Sequence, residues 1–159
     1  MEPKLQTIQQ KLLVGKSMEM SLATNHTRTL WQSFMPLRNS IPNTAGTTLF
    51  SLQEYDPAYF TQFHPNRLFK KWALIEVTDF TAVPGGMEAY TLPAGDYAVF
   101  SYKGNATAAA GIFNYIFTEW LPASGYLLDN RPHFEMLTEK YKNDDPSSEE
   151  EIWIPIQRP

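Results

Sequence analysis

The chain of 159 residues contains no cysteine. That absence excludes a disulfide framework, a thiolate nucleophile and a zinc–thiolate site. No apolar run approaches the length of a membrane span, and the N-terminus has no apolar signal core; a cytoplasmic protein away from membranes is expected. Basic residues are few, with 13 Lys and Arg against 17 Asp and Glu and a net charge of -4. Phosphate recognition needs a basic face, so nucleic acid is not an expected partner. The cluster of Arg67, Lys70 and Lys71 is too small to alter that. No Gly-rich phosphate loop, nucleophile elbow or His-Glu-x-x-His helix is present. His26, His64 and His133 show no metal-ligand spacing, and neither a metal nor a cofactor is expected. No helix-turn-helix segment precedes the first strand, which argues against a regulator acting alone.

What the chain has in excess is aromatic surface: 4 Trp, 8 Tyr and 10 Phe. Such side chains bury large areas and also supply flat recognition surfaces. The length suits one domain with a real core. Residues 1–9 are polar and read as a lead-in. A first strand runs from Leu12 to Met20. Asn25-His26-Thr27 offers helix-capping oxygens, and Leu30, Phe34, Leu37 and Ile41 follow at helical spacing. Pro36 predicts a kink, or an end at about Met35. Asn43–Gly46 reads as a turn, Leu49–Tyr55 as a strand, 57–68 as a loop and Lys71–Thr78 as a strand.

Pro84-Gly85-Gly86 is the clearest break, and the order then repeats. Glu88–Leu92 and Asp96–Lys103 read as strands. A helix from about Thr107 places Ala109, Ile112, Phe113, Ile116, Phe117 and Trp120 on one face, with Pro122, Ser124 and Gly125 ending it. Strands follow at His133–Leu137 and Glu151–Ile156, joined by an acidic hairpin loop over 143–148. Trp72 and Trp153 lie 81 residues apart, as do Glu54 and Glu135. The spacing is consistent with an internal duplication. The expected fold is α+β, one domain over 1–159 with pseudo-repeat halves of about 10–83 and 84–159, related by a pseudo-twofold axis with a cleft between them.

The last two strands carry the sharpest chemical feature. Alternate side chains of a strand point to opposite faces, so Ile152, Ile154 and Ile156 share a core face and Trp153 lies on the other. Matching Phe134 and Met136 to the core face puts Glu135 beside Trp153. A carboxylate there is either a strand residue reaching solvent or the polar point of an aromatic pocket. Desolvation in such a pocket would raise its pKa.

The ordered set Leu92-Pro93-Ala94-Gly95-Asp96-Tyr97, Ile116-Phe117-Thr118-Glu119-Trp120-Leu121-Pro122, Pro132-His133-Phe134-Glu135 and Ile152-Trp153-Ile154-Pro155-Ile156 resembles the GyrI-like small-molecule-binding family. This module also serves AraC-type and MerR-type regulators as an effector-binding domain. The resemblance implies duplicated strand-helix-strand-strand units, a central cleft for bulky aromatic or cationic compounds, and an acidic cleft residue at Glu135. The chain is similar as well to stand-alone members that hydrolyse cyclopropane-bearing alkylators within an aromatic cage. The first half departs from a generic member in its Lys71-Trp72 pair and its long 57–68 loop.

On this reading Glu135 orients or deprotonates water, and a phenol from Tyr55 or Tyr126 donates to the oxygen that gains charge. Trp72, Trp120 and Trp153 stack on the ligand, with Trp120 and Tyr126 at the cleft mouth. Core packing competes as the role of each Trp, and by alternation Tyr55 opposes Glu54. Two rivals stand beside the hydrolase. One is a sequestering protein in which Glu135 and the indoles hold a cation. The other inhibits a protein partner, such as a topoisomerase, through its acidic surface.

Overall fold

The computed structural model describes residues 2–138, 140–142 and 145–159. In chain order the main strands are β1 (Lys4–Ile8), β2 (Lys11–Met20), β3 (Thr44–Glu54), β4 (Phe69–Val77), β5 (Glu88–Leu92) and β6 (Gly95–Lys103). A short β7 (Leu127–Leu128) comes next, then β8 (His133–Leu137) and β9 (Glu149–Gln157). They form an antiparallel sheet in the order β1-β6-β9-β8-β3-β4-β2-β5, with β7 pairing β9 outside this path. Helix α1 (Thr27–Phe34) follows β2, and α2 (Ala106–Tyr115) follows β6. The strand-helix-strand-strand order therefore occurs twice, as β2-α1-β3-β4 and as β6-α2-β8-β9.

The two ends of the strand order are tied together by short links. Gln9-Gln10 joins edge strand β1 to β2, and Pro93-Ala94 joins edge strand β5 to β6. Each link spans at most about 11 Å, so the sheet must curl until its edges approach. Inside the curl lie Leu13, Phe50, Leu52, Trp72, Leu74, Tyr97, Val99, Phe134 and Trp153, all buried. The outer face carries two further clusters. Helix α1 sets Leu30 and Phe34 on Val14, Ala73, Ile75 and Val77. The α2 segment covers Ala98, Phe100, Ile152, Ile154 and Ile156 with Ile112, Ile116 and Phe117.

Several local expectations need correction. The polar N-terminal residues form β1, in register with β6 from Lys4↔Val99 to Ile8↔Gly95. An exposed edge strand has no alternating pattern to reveal it, and here only Ile8 is buried. The turn expected at 43–46 is the irregular start of β3, whose register shifts between Thr44 and Leu49. Gly46 sits there at φ 124°, a backbone that glycine adopts cheaply. Helix α1 ends at Phe34 and tightens into a 3-10 turn over Met35–Ser40, as Pro36 requires. Asn25 Oδ1 accepts the Thr27 N–H at 2.9 Å; Leu37 is exposed.

The second helix ends where Ser124 and Gly125 are expected to stop it, with Pro122 inside its last turn. A π turn over Ile116–Trp120 widens the coil, and the helix continues through Leu121–Ser124 to Gly125 at φ 82°. Of the predicted 143–148 hairpin, residues 143 and 144 lie outside the described residues. Ser148 closes the remainder by donating its N–H to the Asp145 carbonyl at 3.0 Å.

The largest correction concerns the faces of β8 and β9. Phe134 lies opposite Trp153, and Glu135 lies opposite Ile152. Directly opposed residues share a face, so Phe134 joins Trp153 inside the curl, and Glu135 shares the outer face with Ile152, Ile154 and Ile156. Trp72 and Trp153 are both buried inside, on the other side of the sheet from Glu135. The expected pairing of Glu54 with Glu135 as equivalents fails by one residue for the same reason. Leu52 opposes Trp72 as Phe134 opposes Trp153, and Leu52 also opposes Phe134. The pseudo-twofold axis passes through that pair, and the counterpart of Glu135 is Gln53. Glu54 points inward and accepts the Trp72 indole N–H at 2.5 Å.

Candidate functional site

Between the two helix-covered clusters, the outer face of the three central strands is polar and buried. Ser51 and Gln53 come from β3, Lys71 from β4 and His133 from β8, all with little exposure. Glu135 lies among them, its side chain 13% exposed. A solvated antiparallel face would place such residues in water, whereas here they are enclosed. Enclosed polar groups are costly unless paired, so the pairing defines what the site can do.

Glu135 Oε1 accepts from Gln53 Nε2 at 3.3 Å. The Lys71 ammonium lies 4.0 Å from the same oxygen, with its side chain 9% exposed. Burial raises the Glu135 pKa, against the lowering effects of Lys71 and the Gln53 hydrogen bond. Tyr55, one residue beyond β3, comes close enough for the Glu135 charge to act on it. Burial first, then Glu135 and Tyr59, raise its pKa and keep the phenol protonated. His133 is held neutral, its pKa pushed down to about 3 by burial and then by Arg131.

A second carboxylate shares this face. Glu150 is two residues from Ile152 along β9 and opposes Tyr102, whose hydroxyl donates to it. Burial pushes its pKa up to about 7, with Lys71 acting in the lowering direction. One ammonium thus influences both carboxylates. Among the described residues no three His, Asp or Glu side chains converge as metal ligands.

An aromatic wall adjoins these groups. The rings of Phe60, Phe117 and His133 stack nearly parallel. Centroids are 5.3 Å apart for Phe60–Phe117 and for Phe60–His133, at 21° and 16°. Tyr55 meets the His133 ring edge-on at 4.9 Å. Phe60 comes from the irregular segment after Tyr55, which Arg67 holds by pairing with Asp56 at 3.1 Å and donating to the Gln62 carbonyl at 3.2 Å. A cavity of about 410 Å³ opens on this wall, lined by Tyr55, Phe60, Phe117, Leu121 and His133 with Asp129 and Arg131 at its polar side. Glu135 is not part of its lining, whereas His133, two residues before it on β8, is.

The residues predicted for the site therefore separate. Glu135 and Tyr55 come together. Trp72 and Trp153 lie on the opposite face, and the one-residue slip in register accounts for both. Trp120 packs edge-on against Phe100 at 5.1 Å. With Tyr126 it lines a different groove of about 550 Å³, between the start of the chain and the end of the second helix. Sequence reasoning missed Gln53, Lys71, His133, Phe60, Phe117 and Glu150 as site groups. Correct strand register would have found the first three, since all share the parity of Glu135; Phe60, on a loop, left no signal.

Comparison with known proteins identifies the family and the fold. Residues 1–157 match the GyrI-like small molecule binding domain. The chain is 31% identical over 131 residues to the transcriptional regulator BrlR of Pseudomonas aeruginosa, covering 80% of this chain and 45% of that protein. It thus spans less than half of that curated relative. Among solved structures, SAV2435 bound to tetraphenylphosphonium superposes with a TM-score of 0.74 at 18% identity, over 99% of this chain and 94% of that one. A hydrolase encoded by lin2189 from Listeria innocua gives 0.63 at 9% identity, over 98% and 92%. At those identities the likeness is one of fold.

Proposed function

Because the chain belongs to the GyrI-like small-molecule-binding family, we propose that it binds a bulky aromatic compound on the Phe60–Phe117–His133 wall and carries it to Glu135. The observation behind this reading is a stack of parallel rings that includes His133, two residues from the buried Glu135 on the same strand face. The cavity volume is in the range of drug-sized ligands, and its walls offer π faces with few polar points. On this reading Phe60 swings aside to give the ligand contact with Glu135. Its position on an irregular segment lets it do so without breaking a strand.

The Tyr55–Glu135 juxtaposition favours a second reading, hydrolysis of a cyclopropane conjugated to a carbonyl. Glu135 takes a proton from water as the hydroxide oxygen bonds to a ring carbon. The strained C–C bond breaks, its electron pair passes to the carbonyl oxygen, which the Tyr55 hydroxyl steadies by donating a hydrogen bond, and the proton held by Glu135 then passes to the product. A carboxylate with raised pKa and a phenol held protonated suit those two roles.

One experiment separates the readings. The protein is titrated calorimetrically with tetraphenylphosphonium and with triphenylphosphine oxide, then incubated with a cyclopropane-bearing aromatic alkylator and followed by mass spectrometry. The binding reading expects a one-to-one complex with at least one aryl probe, weakened roughly tenfold in Phe117→Ala through lost stacking and contact area. The hydrolase reading adds catalytic gain of one water, lost in Glu135→Gln. No complex with either probe would sink the binding reading; binding of the alkylator without turnover would sink the hydrolase.

A further inference from the structure

Lys71 is a charged group of the outer face that forms no side-chain hydrogen bond of its own among the described residues. Its ammonium carries three N–H donors. Among the described residues its charged contact is Glu135 at 4.0 Å, beyond hydrogen-bond reach, and no hydrogen bond to it is formed. The side chain is nevertheless more than nine-tenths buried. The stem is enclosed while the ammonium forms no hydrogen bond within the protein, so its donors are open to an acceptor that enters the polar strip between the helices. The pseudo-symmetry sharpens the point. Lys71 immediately precedes Trp72 as Ile152 precedes Trp153, so an isoleucine occupies its counterpart position. The charge belongs to one side of the axis only.

Building on the proposed ligand site, we infer that Lys71 determines its specificity. Lys71 donates to an oxygen acceptor on a neutral aromatic compound and turns the cleft away from organic cations. Its charge already stands where a ligand cation would approach Glu135. A second positive centre there meets an ammonium of like sign in an enclosed, weakly screened setting. A neutral acceptor such as a carbonyl or phosphoryl oxygen instead completes the unmet donors while leaving the Glu135 contact in place. The aromatic wall is indifferent to this choice, since π faces accept either kind of ligand.

The test uses two probes that share phenyl rings on phosphorus and differ in charge. Tetraphenylphosphonium is a cation, and triphenylphosphine oxide is neutral with a strong acceptor. Both are titrated at one pH into wild type, Lys71→Met and Lys71→Arg. The expected result is a preference for the oxide in wild type, retained in Lys71→Arg. In Lys71→Met the affinity ratio shifts at least tenfold toward the phosphonium. A ratio unchanged in Lys71→Met, with both probes still bound, overturns the role of Lys71 and leaves the binding site standing. Binding of neither probe by any variant overturns the site and this inference with it. Should Lys71→Met fail to fold, Lys71→Gln removes the charge and keeps a donor. It should strengthen phosphonium binding while leaving the oxide nearly unchanged, and an unchanged phosphonium affinity there counts against the inference.

Discussion

Phe134→Ala is expected to destabilise the protein by about 3–5 kcal/mol, the range for removing a buried aromatic ring from a close-packed core. Phe134 is fully buried inside the curl. Its ring stacks on Trp153 at 5.2 Å and 17°, and approaches Tyr97 at 5.1 Å and Phe50 at 5.7 Å. It also sits on the pseudo-twofold axis, opposite both Leu52 and Trp153. The cavity left by its removal would open at the junction of the two halves, where neither helix can move in to fill it. Denaturant unfolding measures the loss; a decrease below about 1 kcal/mol would mean that the inner cluster is not the main core. Because Phe134 faces away from Glu135, aryl probes should bind the folded variant nearly as they bind wild type.

Glu135→Gln is expected to act in the opposite way, raising stability while impairing function. Burial raises the pKa of Glu135 in spite of Lys71 and Gln53, so folding favours its neutral form. Between the unfolded carboxyl's pKa and the raised folded value, the native state binds the extra proton. Stability therefore falls as pH rises through that window, and the full penalty is present above it. Glutamine has nearly the same shape and no charge to desolvate. The gain in Glu135→Gln should be absent below about pH 4, near the ordinary glutamate pKa, and grow toward neutral pH. It should reach on the order of 1 kcal/mol, as found for substitutions at strained functional sites. Melting curves of both proteins at a series of pH values check this. A variant less stable than wild type at neutral pH would show that the Lys71 pair outweighs the burial and that folding favours the charged form of Glu135.

The two predictions turn on a distinction that the sequence carries only weakly. Long apolar strands such as β4 and β9 announce themselves by composition, and the Pro84-Gly85-Gly86 break separates the halves. Glu135 stands out as a carboxylate in a β-forming stretch. Which face it takes depends on register, and a slip of one residue moves every side chain to the other side. That slip turns Trp72 and Trp153 toward the ligand and hides Gln53, Lys71 and His133. The alternation within β9 is correct in itself; what is missing is which residue of β8 opposes Trp153. Neighbouring strands set that choice through packing, since Phe134 fits against Trp153, Tyr97 and Phe50 together. Strand β1 is illegible for another reason: it pairs through its backbone at an exposed edge, where side chains need not alternate. Phe60 reaches the wall from a loop, and no periodicity governs a loop.

The residues on the outer face also explain why binding and catalysis do not separate at the level of sequence. A carboxylate, a protonated phenol and flat rings serve either purpose. The added lysine distinguishes kinds of ligand more readily than it distinguishes binding from turnover.

The most direct test is a crystal structure of the protein with triphenylphosphine oxide. The aryl rings should lie against Phe117 and His133, with Phe60 displaced and the phosphoryl oxygen within hydrogen-bond distance of the Lys71 ammonium, beside Glu135. The compound in the groove of Trp120 and Tyr126, with the ring wall closed and Glu135 untouched, would contradict the assignment of the outer face as the ligand site.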